Sequence, residues 1–160
     1  MLEKVISGGQ TGVDRAALDA AIELGIPHGG WCPKGRPARD GIIPAKYKLQ
    51  ETVSKLYPFR TKKNIEDSNG TLIYTDGTYS RGTNLTLKIL KERNKPYIMV
   101  PYNEAFPNGM PLPFTSAVDW IFAKEIHILN VAGPSEENHV GIYNKAYTFL
   151  IQLFRETRRA

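Results

Sequence analysis

Three times along this chain a short β-rich run leads into a glycine-bearing loop and then into a helical pattern. The first passes from a run at 4–7 through Gly8-Gly9-Gln10-Thr11-Gly12 to a helix opening at Val13. The second leaves a run at 71–74 and crosses residues 75–84, and the third leaves a run at 126–131 and crosses Ala132-Gly133-Pro134-Ser135-Glu136. Strands separated by helices are joined by right-handed crossovers, so their sheet is mostly parallel and covered on both faces. All strands of such a sheet end at one edge, and ligands bind in the crevice beyond those ends. The pattern therefore predicts a three-layer α/β fold with a mostly parallel central sheet, and three loops that share one rim.

Two further strands are predicted, at 97–100 and, more weakly, at 26–28. The first helix, 13–24, places Ala17, Leu18, Ala21, Ile22 and Leu24 on one stripe, with Gly25 as its C-terminal cap. A second, 84–93, carries Leu85, Leu87, Ile89 and Leu90 and ends at Asn94 before Pro96. A third, 115–124, follows Pro113 with Thr115 or Ser116 as the cap. The last, 140–158, has Ile142, Ala146, Phe149, Leu150 and Leu153 at helical spacing, and Tyr143, Phe149 and Phe154 are expected to extend beyond the core stripe into a subunit contact. Residues 31–60 break the rhythm: they read as a long loop with an edge strand at 49–53, and loops of that length tend to be functional. No repeat or linker interrupts the 160 residues, which read as one domain over 1–160.

Function classes narrow further with charge and composition. No apolar run approaches the roughly 20 residues that span a bilayer, and no basic, apolar and cleavage segments follow one another at the N-terminus. The single cysteine, Cys32, has no internal partner, which fits a reducing compartment, and a cytoplasmic location is expected. The net charge of +5 is local. Lys34, Arg36 and Arg39 lie in one loop, Arg60, Lys62 and Lys63 in a second, and Arg155, Arg158 and Arg159 in the tail, where they complement a helix C-terminus. Without a basic block interleaved with aromatics, a small anionic ligand is favoured over nucleic acid. His28, His127 and His139 lack metal-ligand spacing, and no catalytic metal is expected.

A strand, a tight glycine turn and a helix start form an anion site, because glycine lets backbone approach closely and the first helical N–H groups point outward. The candidate ligand-binding residues of the first loop are Gly8, Gly9, Gln10, Thr11, Gly12, Asp14 and Arg15. Those of the second are Thr75, Thr78, Ser80, Arg81, Gly82, Thr83 and Asn84, and those of the third Gly133, Pro134, Ser135 and Glu136. Lys34 and Arg36 are placed to close over the ligand. Asp14 also suits a helix N-terminus, Arg15 a salt bridge, Gly82 and Thr83 a cap, and Trp31 either a flat ring or the core. Gly12 is followed by Val13-Asp14, so the Lys-Ser/Thr of a Walker loop is missing. Ser7 replaces the first glycine of the dinucleotide fingerprint, and no acid follows near 26–32 to hold a ribose. ATP hydrolysis and standard NAD binding are thus disfavoured. On this reading Gly9→Val abolishes binding and leaves the fold intact.

The chain resembles the molybdenum carrier (molybdenum-cofactor carrier-like) family, within a wider Rossmann-like group that includes the lysine-decarboxylase-like phosphoribohydrolases. The likeness lies in Ser-Gly-Gly-Gln-Thr-Gly-Val-Asp-Arg (7–15), Gly-Trp-Cys-Pro-Lys-Gly-Arg (30–36), Arg60-Thr61 with Asn64, Asp67-Ser68-Asn69-Gly70-Thr71-Leu72-Ile73, Gly82-Thr83, and Asn130-Val131-Ala132-Gly133-Pro134. The resemblance implies a Rossmann-like homo-oligomer, a dimer or tetramer, that binds the phosphorylated pterin of molybdenum cofactor (molybdopterin) as cargo without turnover. A molybdoenzyme would receive that cargo. In the hydrolases a glycine-rich run ends Gly-Thr-x-x-Glu, and its Glu serves catalysis; here Thr86 stands at that place and no catalytic residue is assigned. A phosphoribohydrolase-like hydrolase, with Asp14 or Glu136 as the carboxylate, and a nucleotide-sensing module are the alternatives.

Overall fold

The first βα unit sets the frame. Strand β1 (Lys4–Ile6) buries Val5 and Ile6, and helix α1 (Val13–Glu23) follows with Ala16, Ala17, Ala20 and Ala21 fully buried. The computed structural model describes residues 1–75, 77–102 and 112–158; Asp76 of the second loop and Arg159 of the basic tail lie outside them. Then come β2 (His28–Gly29), β3 (Trp31–Cys32), β4 (Pro37–Ala38), β5 (Gly41–Ile42), β6 (Gln50–Glu51) and α2 (Tyr57–Glu66). The rest is β7 (Gly70–Thr75), α3 (Arg81–Glu92), β8 (Tyr97–Pro101), α4 (Leu112–Ala123), β9 (Ile128–Ala132) and α5 (Ile142–Arg158).

Five strands form a parallel sheet in the order β2-β1-β9-β7-β8. Counted from β7 through β9 and then on to β1 and β2, this is the doubly wound order 2-1-3-4-5, with the chain opened between its third and fourth strands. The two ends meet accordingly: the Leu2 N–H donates to the Thr157 carbonyl at 3.1 Å, and the Arg158 guanidinium reaches the Leu24 carbonyl. In that order the crossovers change face between the first and third strands, here β7 and β9, and a crevice opens beyond their ends.

Side-chain alternation on β7 separates the two layers. Leu72 and Tyr74 join the core under α1, α4 and α5, while Ile73 joins Ile65, Ile89 and Leu90 under α2 and α3. The alanine face of α1 lets α5 pack against it closely. Tyr143, Phe149 and Phe154, expected at a subunit contact, are engaged inside the fold. Phe154 is fully buried, Phe149 packs on Tyr74 and Phe114, and the Tyr143 hydroxyl donates to Asp19 Oδ2 at 2.5 Å.

Sequence periodicity misses α2, because residues 57–66 have no apolar stripe: only Asn64 and Ile65 are buried, and Tyr57 and Phe59 face outward. Pro58 suits the first helical turn, where its missing N–H leaves no bond unmade. Arg60, Lys62 and Lys63 therefore sit on a helix, not in a loop. Helix α3 begins at Arg81, three residues before the predicted start, and α4 begins at Leu112, so Thr115 and Ser116 lie within it. Helix α5 begins at Ile142, leaving Val140 exposed before it. The predicted edge strand at 49–53 is the two-residue β6, paired parallel with β3. Around it, Cys32, Ile43 and Tyr47 pack on Leu18 of α1 as a small second core.

Candidate functional site

The crevice between β7 and β9 is a cleft of about 120 Å³ at the carboxyl edge of the sheet. Gly8 and Gln10 line it after β1, Ile73 on β7, Asn130 to Gly133 at the end of β9, and Asp14 on α1. Ser80, Gly82, Thr83 and Thr86 line it on α3, and Arg60, Thr61 and Asn64 on α2. All three glycine loops thus reach a common rim, each contributing part of its length.

Helix α3 offers open donors. Ser80 is its N-cap: the hydroxyl accepts from the Thr83 N–H at 3.1 Å, and the carbonyl accepts from the Asn84 N–H at 2.9 Å. Among the described residues the N–H groups of Arg81 and Gly82 meet no acceptor, so the positive end of the helix dipole is exposed there. A Cβ on Gly82 would meet only Ser80 Oγ, at 3.8 Å. Gly82→Val is therefore expected to fold with a melting temperature near that of the wild type and to bind anions at least tenfold more weakly, since its branches project into the cleft. Thermal melts and calorimetry with inorganic phosphate check both halves. Thr86, at the place of the hydrolases' Glu, donates to the Gly82 carbonyl at 2.9 Å.

The first loop is organised differently from the expected amide cradle. The Gly9 N–H donates to Ser7 Oγ at 3.4 Å, the Gln10 N–H to Asp14 Oδ2 at 3.2 Å, and the Thr11 N–H to Gln10 Oε1 at 3.0 Å. Gln10 Oε1 also accepts the Arg39 N–H at 2.8 Å, and the Val13 N–H donates to the Pro134 carbonyl at 3.2 Å. Gly8 and Gly12 are different: among the described residues the N–H of neither has an acceptor, and a Cβ on Gly8 would collide with Arg60 Nη1 at 1.9 Å. Gly9 instead faces Leu49 and Ile43, and Gly12 faces the backbone of Pro134 to Glu136. These two glycines serve packing.

Charge in the cleft comes from Arg60 and Asp14, whose side chains are 14% and 10% exposed. Arg60 Nη1 donates to the Gly8 carbonyl at 2.8 Å and lies 3.5 Å from Asp14 Oδ2, with its guanidinium over the Tyr57 ring. Burial pushes the Asp14 carboxyl above its ordinary 3.8, against the opposing pull of Arg60, the Gln10 N–H and Arg15. The folded chain thus holds this proton more tightly than the unfolded chain does. Asp14 therefore becomes unfavourable for stability as pH rises from 3.8 through its folded-state value. The melting-temperature difference between Asp14→Asn and wild type is expected to move in the variant's favour by a few degrees from about pH 4 to about pH 7. A difference that moves the other way contradicts the assignment.

The remaining expected residues lie elsewhere or bond within the protein. Arg15 forks onto Asp40 at 2.8 and 2.9 Å and bonds the Gly9 carbonyl. Arg36 donates to the carbonyls of Ile43, Pro44, Tyr47 and Leu49, tying the long loop together, and Lys34 is exposed outside the cleft lining. Thr11 donates to Glu137 at 2.5 Å, and Thr75 donates to the Thr78 carbonyl at 3.3 Å. Arg81 and Asn84 are exposed on α3, Gly133 fits tightly between Val13 and the Tyr74 carbonyl, and Glu136 caps α5 through the N–H groups of Gly141 and Tyr143. The Ser135 hydroxyl is buried without a partner among the described residues. Trp31 bonds Asp67 at 2.7 Å, with Lys63 over its ring, outside the cleft lining. Sequence reasoning leaves out Arg60, Thr61, Asn64, Thr86 and Asn130. The available signal was the family likeness, which Arg60-Thr61, Asn64 and Asn130 help to carry; the i, i+4 spacing of Arg60 and Asn64 has meaning only once α2 is seen. Asn64 holds the Trp31 backbone through both amide atoms, at 2.7 and 3.0 Å, and so fixes α2 beside the cleft.

The chain opening seen in the strand order has a counterpart among known proteins. The model of the circularly permutated YpsA SLOG family matches residues 5–154. The chain belongs to this family. A crystal structure from Syntrophus aciditrophicus SB, described as a "Putative molybdenum carrier protein", is 40% identical. The match covers 96% of this chain and 94% of that one, with a TM-score of 0.85. No curated protein matches. The α/β Rossmann-like fold around a parallel central sheet thus stands as the sequence predicts, and the permutation is an addition to it. None of its helices, among the described residues, is long and apolar enough to cross a membrane.

Proposed function

We propose that the cleft between β7 and β9 binds the phosphate of a phosphorylated pterin, with molybdenum cofactor as cargo carried without turnover. The observation that carries this reading is a largely buried arginine, Arg60, lining one cleft with the open N-terminal end of α3 at the switch point of the sheet. The name of the 40% identical neighbour supports molybdenum as the context. A cleft of about 120 Å³ is well below the roughly 300–1,000 Å³ that encloses a drug-sized ligand, so it takes the phosphate end. The flat ring system then extends outward, toward the exposed aromatic faces of Tyr57, beneath Arg60, and Tyr79, beside Ser80. Such a carrier acts in the cytoplasm as a dimer or tetramer and hands its cargo to a molybdoenzyme.

Mass spectrometry of the small molecules that travel with the purified protein tests the reading. A pterin phosphate at near-stoichiometric amount supports it. Release of free base from added nucleoside monophosphates would replace it with N-glycosidic hydrolysis, in which Asp14 is the one carboxylate among the cleft-lining residues. A nucleotide bound tightly and recovered unchanged would replace it with a sensing role.

A further inference from the structure

We infer that Asp14 makes the cleft select a phosphate ester with a hydroxyl or N–H donor beside its charge, and reject oxyanions without a donor, free molybdate included. The inference deepens the reading above and rests on the cleft being an anion site.

Asp14 is 7% exposed and lines the cleft. Its Oδ2 accepts the Gln10 N–H at 3.2 Å and faces Arg60 Nη1 at 3.5 Å. Its Oδ1 meets no donor among the described residues. That oxygen opens onto the cleft, where water serves it; a ligand that displaces the water must supply a donor in its place or leave the oxygen unsatisfied. Arg60 has donors to spare, since only its Nη1 is engaged, on the Gly8 carbonyl at 2.8 Å and beside Asp14, but it brings one positive charge to be shared between Asp14 and an anion. Arg15, the next cation, is forked onto Asp40. An arriving anion therefore weakens the one close counter-charge of Asp14 and sets a like charge beside it.

Two kinds of ligand escape this conflict differently. A sugar phosphate, a nucleotide or a phosphorylated pterin brings its own O–H or N–H, which donates to Oδ1 while the phosphate takes Arg60 and the α3 amides. Hydrogen phosphate does the same through its own hydroxyl. Sulfate and molybdate carry no proton at neutral pH; bound here they leave Oδ1 without a donor and the carboxylate repelled. Discrimination of this type is strong because an unpaired buried polar group is penalised far more than a lost contact. The cargo of this protein then carries a donor beside its phosphate charge and is not free molybdate.

The test is calorimetry on the full chain at neutral pH with ribose 5-phosphate, hydrogen phosphate, sulfate and molybdate. Wild type is expected to bind the first two at least tenfold more tightly than the last two. Asp14→Asn, which supplies a donor in place of the acceptor, is expected to bind sulfate and molybdate about tenfold more tightly and to narrow or invert the ratio. Adenosine 5′-monophosphate and neopterin monophosphate, run alongside, separate nucleotide from pterin as the source of the same chemistry. Molybdate within twofold of ribose 5-phosphate on wild type overturns the inference, whether or not the variant folds. So does a ratio unchanged in a folded Asp14→Asn. If none of the anions binds wild type, the cleft is no anion site, and the proposed function falls together with this inference.

Discussion

Arg60→Ala is expected to weaken phosphate-ester binding about 100-fold, or about 3 kcal/mol, the range of one charge-assisted, partly buried hydrogen-bonded contact. Among the cleft-lining residues Arg60 is the only cation. Its position is fixed from three sides: the Gly8 carbonyl at 2.8 Å, Asp14 at 3.5 Å, and the Tyr57 ring beneath the guanidinium. Such a group enters binding already oriented, and little entropy remains to be lost. Arg60→Lys is expected to recover only part of the loss, because an ammonium has no planar fork and stacks poorly on Tyr57. The truncation has a second effect. It leaves the Asp14 carboxylate buried without its counter-charge, so Arg60→Ala is expected to melt lower than wild type at neutral pH. Adding Asp14→Asn is expected to restore stability without restoring binding. Calorimetry and thermal melts on the three variants separate the effects; unaltered affinity in Arg60→Ala removes Arg60 from the site.

Gly12→Val is expected to abolish the cooperative folding transition. Gly12 is the N-cap of α1 at φ 84° and ψ −127°, a conformation populated essentially by glycine. Its Cβ would lie 2.5 Å from the Pro134 carbonyl and 2.7 Å from the Glu136 nitrogen. These are backbone atoms of the third loop, held by the Val13 N–H and unable to move aside cheaply. Strain and overpacking of this kind cost about 1–3 kcal/mol each, often more, against a total stability of about 5–15 kcal/mol. Gly9→Val shares the positive φ but meets side-chain ends and not backbone, so a lowered melting temperature is expected in place of a lost transition. At φ 73°, its Cβ would lie 2.5 Å from Leu49 Cδ1 and 3.1 Å from Ile43 Cδ1. The sequence expectation of lost binding in an intact fold is thus reversed at Gly9, and it moves to Gly82. Circular dichroism melts of the Gly9, Gly12 and Gly82 variants should rank Gly82→Val nearest wild type; a Gly12→Val protein that melts like wild type would contradict the geometry.

How far the letters reach can be argued from these same residues. The strand–loop–helix repeats determine a parallel sheet and hence a common rim, and β1, β7, β8 and β9 lie where alternation and periodicity place them. Local patterning cannot say which strands are neighbours. The switch point at β7 and β9 is a property of strand order, and it opens the cleft to α2 and α3 as well as to the first loop, with Gly133 alone from the third loop's candidates. Composition also treats all exposed-looking charges alike. Arg36 and Arg60 read the same in sequence; one ties carbonyls of its own loop and the other faces a cleft, because one lies in a turn at φ 59° and the other on a helix that periodicity does not reveal. The glycines mislead for a related reason. A positive φ announces that glycine is required, but not whether the missing side chain makes room for ligand or for the protein itself.

The central claim is that an anion sits between Arg60 and the open end of α3, beyond β7 and β9. A crystal structure of the protein soaked with ribose 5-phosphate tests it most directly. Phosphate density within hydrogen-bonding distance of the Arg60 guanidinium and the Gly82 N–H is the expected result. Density at the opposite edge of the sheet, or against the amides of residues 9–12 with Arg60 still on Asp14, would contradict it.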